Sequence, residues 1–366
     1  MSDILMVLKT QNLRNDQRVL KEMKSLAKNG ANVELFVSKN CDLRQDEINF
    51  PMNNVRIFGG AAPDSLLLRL LGVFQFYIKA LIYVVLNNKK YEKIWICDPI
   101  MFGLVILLKL IKPKLKIIWD HHELPPTWFL NNKLLMFFFK FSYIKADIVI
   151  HTNTARKDYL ENTLKYIAKK SYIISNYPEF SICDEELLTT DAEDWINNNK
   201  FIYLQNSLQD NRYGADVIRV ALESGFKIFH AGKINEDYIV ENNLDRSSIF
   251  MAGYLNSKQI NRVLNKSEFT VILYKQDSLN QKYCDANRLY QAMSIGVPII
   301  LGDNPTMVEA TINYKNKFII NEVVKESLVT AISNLAFNDS NNFNDRISLC
   351  FNWCEYDLFF KEIVNA

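Results

Sequence analysis

The chain lacks several features that would narrow its chemistry at once. It carries 43 Lys and Arg against 41 Asp and Glu, a formal net charge of +2. So even a balance gives no ground for a nucleic-acid partner. Six cysteines are scattered without a Cys-x-x-Cys pair, which argues against a zinc site or a disulfide framework and fits a reducing cytosol. Histidines number only four. No Asp-x-Asp metal motif stands in a suitable place, so metal independence is expected. There are no internal repeats and no low-complexity stretch. Residues Met1 to Leu5 run straight into an apolar strand, so no signal peptide is expected.

What is present reads as a globular enzyme-sized chain. Hydrophobic residues make up 49% and charged residues 23% of 366 positions. That length exceeds one ordinary core and predicts two domains. Lysines crowd the first half, while acids gather from Asp184 to Asp194.

Short apolar runs alternate with amphipathic stretches, the pattern of a parallel α/β fold. Ile4 to Leu8 reads as a strand, followed by a polar loop over Lys9 to Asn15 at the end where such folds place ligands. Asp16 to Leu26 reads as a helix capped by Asp16, with Arg18 a candidate ligand contact. Leu66 to Leu86 is apolar over nearly the length of a membrane span, but Arg69, Gln75 and Lys79 interrupt it. A helix covering a sheet accounts for it as well. Phe102 to Lys116 and Leu134 to Lys145 mix aromatic and aliphatic residues with Lys, as an interfacial membrane surface does and as snorkelling lysines on a sheet-covering helix do. Peripheral membrane contact is expected; a transmembrane span is not.

Two stretches carry chemistry. Ile117 to Trp119 reads as a strand, with Asp120-His121-His122-Glu123-Leu124-Pro125-Pro126 as the loop after it. Half of the histidines stand here. A general base is one reading, and loop capping is the plain one. The second is Tyr283 to Ile300: a loop, a short helix ended by Gly296, then a buried strand. Asp285, Asn287, Arg288 and Gln291 gather at the helix start, which suits an anion such as a diphosphate. A capped core helix explains the same pattern.

Together these stretches resemble the GT-B fold glycosyltransferases, specifically the family-4-like group. Asn287-Arg288-Leu289-Tyr290-Gln291-Ala292-Met293-Ser294-Ile295-Gly296-Val297-Pro298-Ile299-Ile300 resembles that group's donor-nucleotide segment. The family's ribose-holding Glu is Gln291 here, and the earlier member of its Glu pair falls at Tyr283. Asp120, His122, Glu123, Leu124 and Pro126 match the family's Asp-x-His-Glu-Leu-x-Pro loop. Asp16, Arg18 and Val19 match its Asp-x-Arg-Val helix start. Thr152 and Asn153 follow a strand like its Ala-Asp-x-Val-Ile. Arg212-Tyr213-Gly214 keeps the Arg and Gly of a diphosphate-gripping loop.

The resemblance implies an α/β GT-B fold. Two Rossmann-like domains would face a cleft, and a C-terminal helix would cross back to the first. Residues 1–180 would form the acceptor domain, 181–350 the donor domain and 351–366 the returning helix. It implies His122 and Glu123 as catalytic residues. Arg212, Lys233, Tyr254, Leu255, Asn287, Arg288 and Gln291 would hold the donor, with no metal and no cofactor. A UDP- or GDP-sugar is the expected donor. The acceptor would be a lipid-linked or cell-surface glycan of lipopolysaccharide, O-antigen or capsule type. Transfer would be retaining, at the inner face of the cell membrane, with no nucleic acid. The changed Glu pair keeps two alternatives open: an inactive GT-B scaffold, and a non-hydrolysing sugar-nucleotide epimerase.

Overall fold

A computed structural model describes residues 3–10, 13, 16–38, 49–60, 65–87, 89–179, 184–337 and 348–365. The chain divides into two compact units, Met1–Ser175 with Cys354–Ala366, and Asn176–Trp353.

The first unit alternates strand and helix: β1 Asp3–Leu8, α1 Gln17–Lys28, β2 Asn32–Ser38, β3 Met52–Val55, α2 Leu66–Leu86, β4 Lys93–Cys97 and α3 Phe102–Ile111. It continues with β5 Lys116–His121, α4 Thr127–Leu130, α5 Lys133–Lys145, β6 Ile148–His151, α6 Thr154–Leu164 and β7 Ser171–Ile173. All seven strands are parallel, in the order β3-β2-β1-β4-β5-β6-β7. The central strands are apolar throughout because helices cover both faces. Residues 4–8 of β1 are wholly buried. Asp16 caps α1, its side chain accepting from the Val19 amide at 3.4 Å, as expected. Part of the predicted polar loop, residues 11, 12, 14 and 15, lies outside the described residues.

The second unit contains α7 Thr190–Asn198, β8 Phe201–Gln205, α8 Gly214–Glu223, β9 Lys227–Ala231, α9 Glu236–Glu241, β10 Ile249–Gly253 and α10 Ser257–Lys266. After these come β11 Thr270–Ile272, α11 Leu279–Lys282, α12 Asn287–Ile295, β12 Ile299–Gly302, α13 Pro305–Ala310, β13 Lys317–Ile320 and α14 Lys325–Phe337. Its six parallel strands run β10-β9-β8-β11-β12-β13. Leu289, Ala292 and Met293 bury the inner side of α12 completely; truncating such a Leu costs about 2–5 kcal/mol. Gly296 ends this helix at φ 84°, where a Cβ would be strained.

The acidic stretch from Asp184 to Asp194 is built into the second unit. Ala192 and Ile196 of α7 are buried, and Arg262 of α10 bonds Glu185 and Glu193 at 3.1 Å each. The chain then returns. Residues 351 and 352 are not helical, contrary to the helix expected over 351–366, and α15 spans Asp357–Asn365. This helix packs on α1. Phe360 stacks on Trp95 at 6.2 Å, and Lys93 Nζ donates to the Val364 carbonyl at 2.8 Å. The four described free cysteines are Cys97, Cys284, Cys350 and Cys354.

Candidate functional site

In a doubly wound sheet, ligands sit beyond the carboxyl ends of the strands, where the strand order reverses. In the second unit the reversal lies between β8 and β11. Arg212 follows β8, and Arg288 follows β11 at the start of α12. Both guanidiniums lie over the Tyr274 ring, at 4.8 and 5.0 Å from its centre. Both donate to the Gln205 carbonyl oxygen, Arg212 at 3.3 Å. Burial, and then the charge of Arg288, lower the Arg212 pKa to about 10. The buried Nε of Arg212, and Nε and one terminal nitrogen of Arg288, have no hydrogen-bond partner. Neither arginine makes an ion pair with a carboxylate among the described residues.

Two half-buried cations on one ring oppose each other's charge. Their free donors fit a dianion with several oxygens, such as a diphosphate. Tyr274 organises both, and the sequence analysis gave it no role. An aromatic residue closing an apolar strand before a polar loop was the available signal.

The neighbouring strand ends supply the rest. Lys233 is exposed, and its amide donates to Asn206 Oδ1 at 3.1 Å. Gly232 has φ 117°, and a Cβ there would lie 2.0 Å from Asn206 Oδ1, so only glycine lets these two loops meet. Tyr254 is 65% exposed after β10, leaving its ring face open; Leu255 packs partly against the core. Asn287 is exposed at the first turn of α12. Gln291 is buried, and its amide nitrogen donates to Asn261 Oδ1 at 2.8 Å and to the Ser257 carbonyl at 3.1 Å. Its Oε1 is left as the acceptor.

In the first unit the reversal lies between β1 and β4. Asp98 follows β4 and His122 follows β5. The expected loop begins later than the reading placed it. Asp120 and His121 are the last residues of β5, and both are buried. Alternation along a strand turns adjacent residues to opposite sides. His121 therefore packs against the rings of Trp119 and Tyr143, while His122 faces the polar cluster.

His122 Nε2 lies 3.0 Å from Asp120 Oδ2, and Nδ1 lies 3.7 Å from Asp98 Oδ1. Burial disfavours its charge, but Asp120 more than offsets that and holds the pKa well above the ordinary value. His122 is thus an imidazolium, a donor rather than a general base. Asp120 is likewise held as a carboxylate: burial opposes the charge, and Arg18 and His122 outweigh it. Burial, and then the charge of Asp120, push the Glu22 pKa well above the ordinary carboxylate value. Asp98 stands at φ 74°, ψ 143°, a region sparsely occupied by side-chain-bearing residues. Burial lifts its pKa to about 6. The sequence reading gave Asp98 no role; an Asp-Pro pair closing a central strand was the signal. Glu123 is exposed beside this cluster.

Arg18 is buried and turned inward, bonded to Asp120 and to the Ile174 carbonyl. Thr152 and Asn153 are also structural: Thr152 Oγ1 accepts from Arg156 at 3.0 Å, and Asn153 caps α6 through the Arg156 amide at 2.8 Å. Glu22, Cys97 and His122 bring three donor atoms within 4.8 Å. Arg18 Nε lies 2.9 Å from Glu22 Oε1, and burial pushes the pKa values of Glu22 and Cys97 up, which disfavours their ligand forms. That is a poor donor set for a cation.

No family model matches the chain, and no curated protein matches it. Solved structures do. Sucrose-phosphate synthase from Thermosynechococcus elongatus aligns with a TM-score of 0.71 at 14% identity, over 100% of this chain and 98% of that one. HepE from Anabaena, in complex with UDP and glucose, aligns at 0.68 and 12% identity, over 100% of both chains. WaaG, a glycosyltransferase involved in lipopolysaccharide biosynthesis, aligns at 0.65 and 10% identity, over 98% of this chain and 95% of that one. The fold is the GT-B fold of glycosyltransferases: two Rossmann-like units over the whole chain, with the last helix returned to the first.

Proposed function

We propose that this protein is a glycosyltransferase that takes a sugar from a nucleotide-sugar donor, a UDP- or GDP-sugar. The observation that carries this reading is the pair of half-buried, like-charged guanidiniums of Arg212 and Arg288 on Tyr274. Burying two cations together is unfavourable for folding alone. A diphosphate leaving group supplies the missing charge, and its negative charge grows as the bond to the sugar breaks. Fixed donors aimed at it then stabilise the transition state more than the ground state. With two arginines at the diphosphate, no metal is required. Tyr254 offers an open ring face to the base, and Gln291 Oε1 an acceptor to the ribose. Lys233 adds a cation beside Asn206. The complex of HepE with UDP and glucose supports a UDP-sugar in particular.

The first unit would take the acceptor. His122 donates from a fixed imidazolium to a sugar hydroxyl or a developing negative charge, and Glu123 lies beside it. The acceptor is a lipid-linked or cell-surface glycan, transfer retains configuration, and the protein works at the inner face of the cell membrane. Thermal unfolding with UDP, GDP, dTDP, CDP and ADP tests the donor half, since binding to the native state raises the midpoint by mass action. A shift with one diphosphate supports the reading and names the base. No shift with any of them would favour an inactive scaffold. Conversion of the sugar nucleotide without acceptor would point to an epimerase.

A further inference from the structure

The outer surface of α2 is at odds with an aqueous setting. The helix is 21 residues long, and Leu67–Leu86 is apolar enough to cross a membrane. One side belongs to the core: Val73, Phe76, Ala80 and Val84 are buried, and the Phe76 ring lies 5.4 Å from that of Phe36. A spanning helix would have to abandon that packing. The opposite side runs Leu67, Leu71, Phe74, Ile78, Ile82, Val85, in steps of three and four residues. All six are exposed, Phe74 by 61%. A surface helix ordinarily turns a polar face outward, and this one turns an apolar stripe.

The stripe is not isolated. α3 packs beside α2, and α5 beside α3. These helices expose Leu110, Ile111, Leu134 and Phe137. Together α2, α3 and α5 contain six basic residues (Arg69, Lys79, Lys109, Lys133, Lys140 and Lys145) and no Asp or Glu. Between α3 and α5 lies a recess of about 380 Å³, walled by Ile106, Leu110, Phe141 and Ile144; its lining includes Lys145 and Lys169 and the Lys109–Asp147 ion pair at 2.6 Å, which leaves cations in excess. Apolar depth with cations beside it fits an anionic amphiphile. The same charge pattern disfavours a second copy of the chain, which would bring like charges together. Arg69, in the first turn of α2, opposes the charge of Lys9 just after β1. The stripe therefore begins near the strand ends that carry Asp98.

We propose that the outer face of the α2–α3–α5 layer docks on an anionic lipid bilayer, with α2 lying along the interface and its Leu67–Val85 stripe among the acyl chains. This deepens the proposed function by naming the partner surface. It rests on that reading only in taking the acceptor to be membrane-borne, and lipid and nucleotide binding are measured separately.

The test is sedimentation of the full chain with phosphatidylglycerol–phosphatidylcholine vesicles and with pure phosphatidylcholine vesicles. Expected is binding that favours the anionic vesicles and falls with salt. The variant Leu71→Ser/Phe74→Ser/Ile78→Ser should lose about tenfold or more while keeping its circular-dichroism melt and any nucleotide-induced shift. Lys133→Glu/Lys140→Glu should lose the preference for anionic lipid. In Phe74→Trp, brominated acyl chains should quench the indole. Vesicle binding unchanged by the serine substitutions, or an unquenched Trp, would overturn the proposal. So would a dimer of the wild type that those substitutions convert to monomer.

Discussion

Arg18 on α1 holds Asp120 at the end of β5 by two hydrogen bonds, 3.2 Å from Nε and 3.0 Å from a terminal nitrogen, across 102 residues of chain. Its other terminal nitrogen donates to the Ile174 carbonyl at 2.5 Å. One guanidinium therefore joins α1, β5 and the segment after β7. It also keeps Asp120 charged, and Asp120 in turn holds His122 as an imidazolium.

Removing Arg18 should be among the costliest changes in the first unit. Arg18→Met leaves Asp120 buried with one cation instead of two, and should lower unfolding stability by about 3–5 kcal/mol. Arg18→Lys should recover only part of this, because an ammonium cannot make the paired bonds. Urea unfolding of the three proteins checks both statements. A loss within 1 kcal/mol for Arg18→Met, as is common at exposed ion pairs, would show that the pair does not bear on the fold.

The arginines of the second unit should behave in the opposite way. Arg212→Met removes a cation that its surroundings disfavour, so the ligand-free protein should melt at the same temperature or roughly 2–4 °C higher. Any nucleoside-diphosphate shift should vanish with it. Arg288→Ala should likewise abolish nucleotide binding. Differential scanning fluorimetry with and without diphosphate reads both arms. Undiminished affinity in either variant would remove these residues from the donor site.

Asp98 offers a similar opposition through its backbone. Asp98→Gly relieves the conformation at φ 74° and should stabilise the protein by about 1 kcal/mol. Asp98→Asn keeps that backbone cost and deletes the carboxylate. Loss of turnover in both variants would assign a role to the carboxylate. With the wild-type group titrating near 6, turnover that needs the carboxylate should fall below about pH 6. Unchanged turnover in Asp98→Asn would leave only the backbone cost.

His121 should contribute to acid sensitivity, as should the buried His151 and His230, whose pKa values burial also lowers. His121 is buried, neither ring nitrogen has a partner, and burial holds its pKa well below the ordinary value. Below about pH 6.5 the unfolded chain binds a proton there that the folded chain does not. Stability is therefore full above that pH and falls as pH drops. His121→Phe removes this term, and its advantage over wild type should grow by about 1.4 kcal/mol per pH unit below pH 6. Unfolding midpoints at pH 8, 6 and 5 measure it; a constant difference would contradict the buried neutral imidazole. Comparing the two proteins at each pH cancels the opposite slope from the raised carboxyls of Glu22 and Asp98.

Much of the architecture was legible because it depends on neighbours in the chain. Short apolar runs located β1, most of β5 and β12. The Asp16 cap and the Gly296 stop bounded α1 and near-bounded α12, since turn chemistry is local. The Arg-containing loops before α8 and α12 were recognisable as cationic. What failed was the facing of individual side chains. Arg18 read as a surface charge or a ligand contact and proved a buried anchor; Asp120 and His121 read as loop and proved to be strand. For α2, periodicity could not tell a buried apolar helix from an exposed one, because the outward stripe is as apolar as the inward side.

Sequence alone determined the order of elements, the alternation that makes both sheets parallel, and the residue types brought to the strand ends. Only the tertiary structure decided which charges lie beside which. Arg288 meets the Gln205 carbonyl across 83 residues, and Arg18 meets Asp120 across 102. Periodicity and capping act over a few residues, whereas burial and ion pairing depend on elements that meet only after the sheets have formed. A side chain's charge state and orientation are therefore settled by that packing and leave no local pattern in the chain.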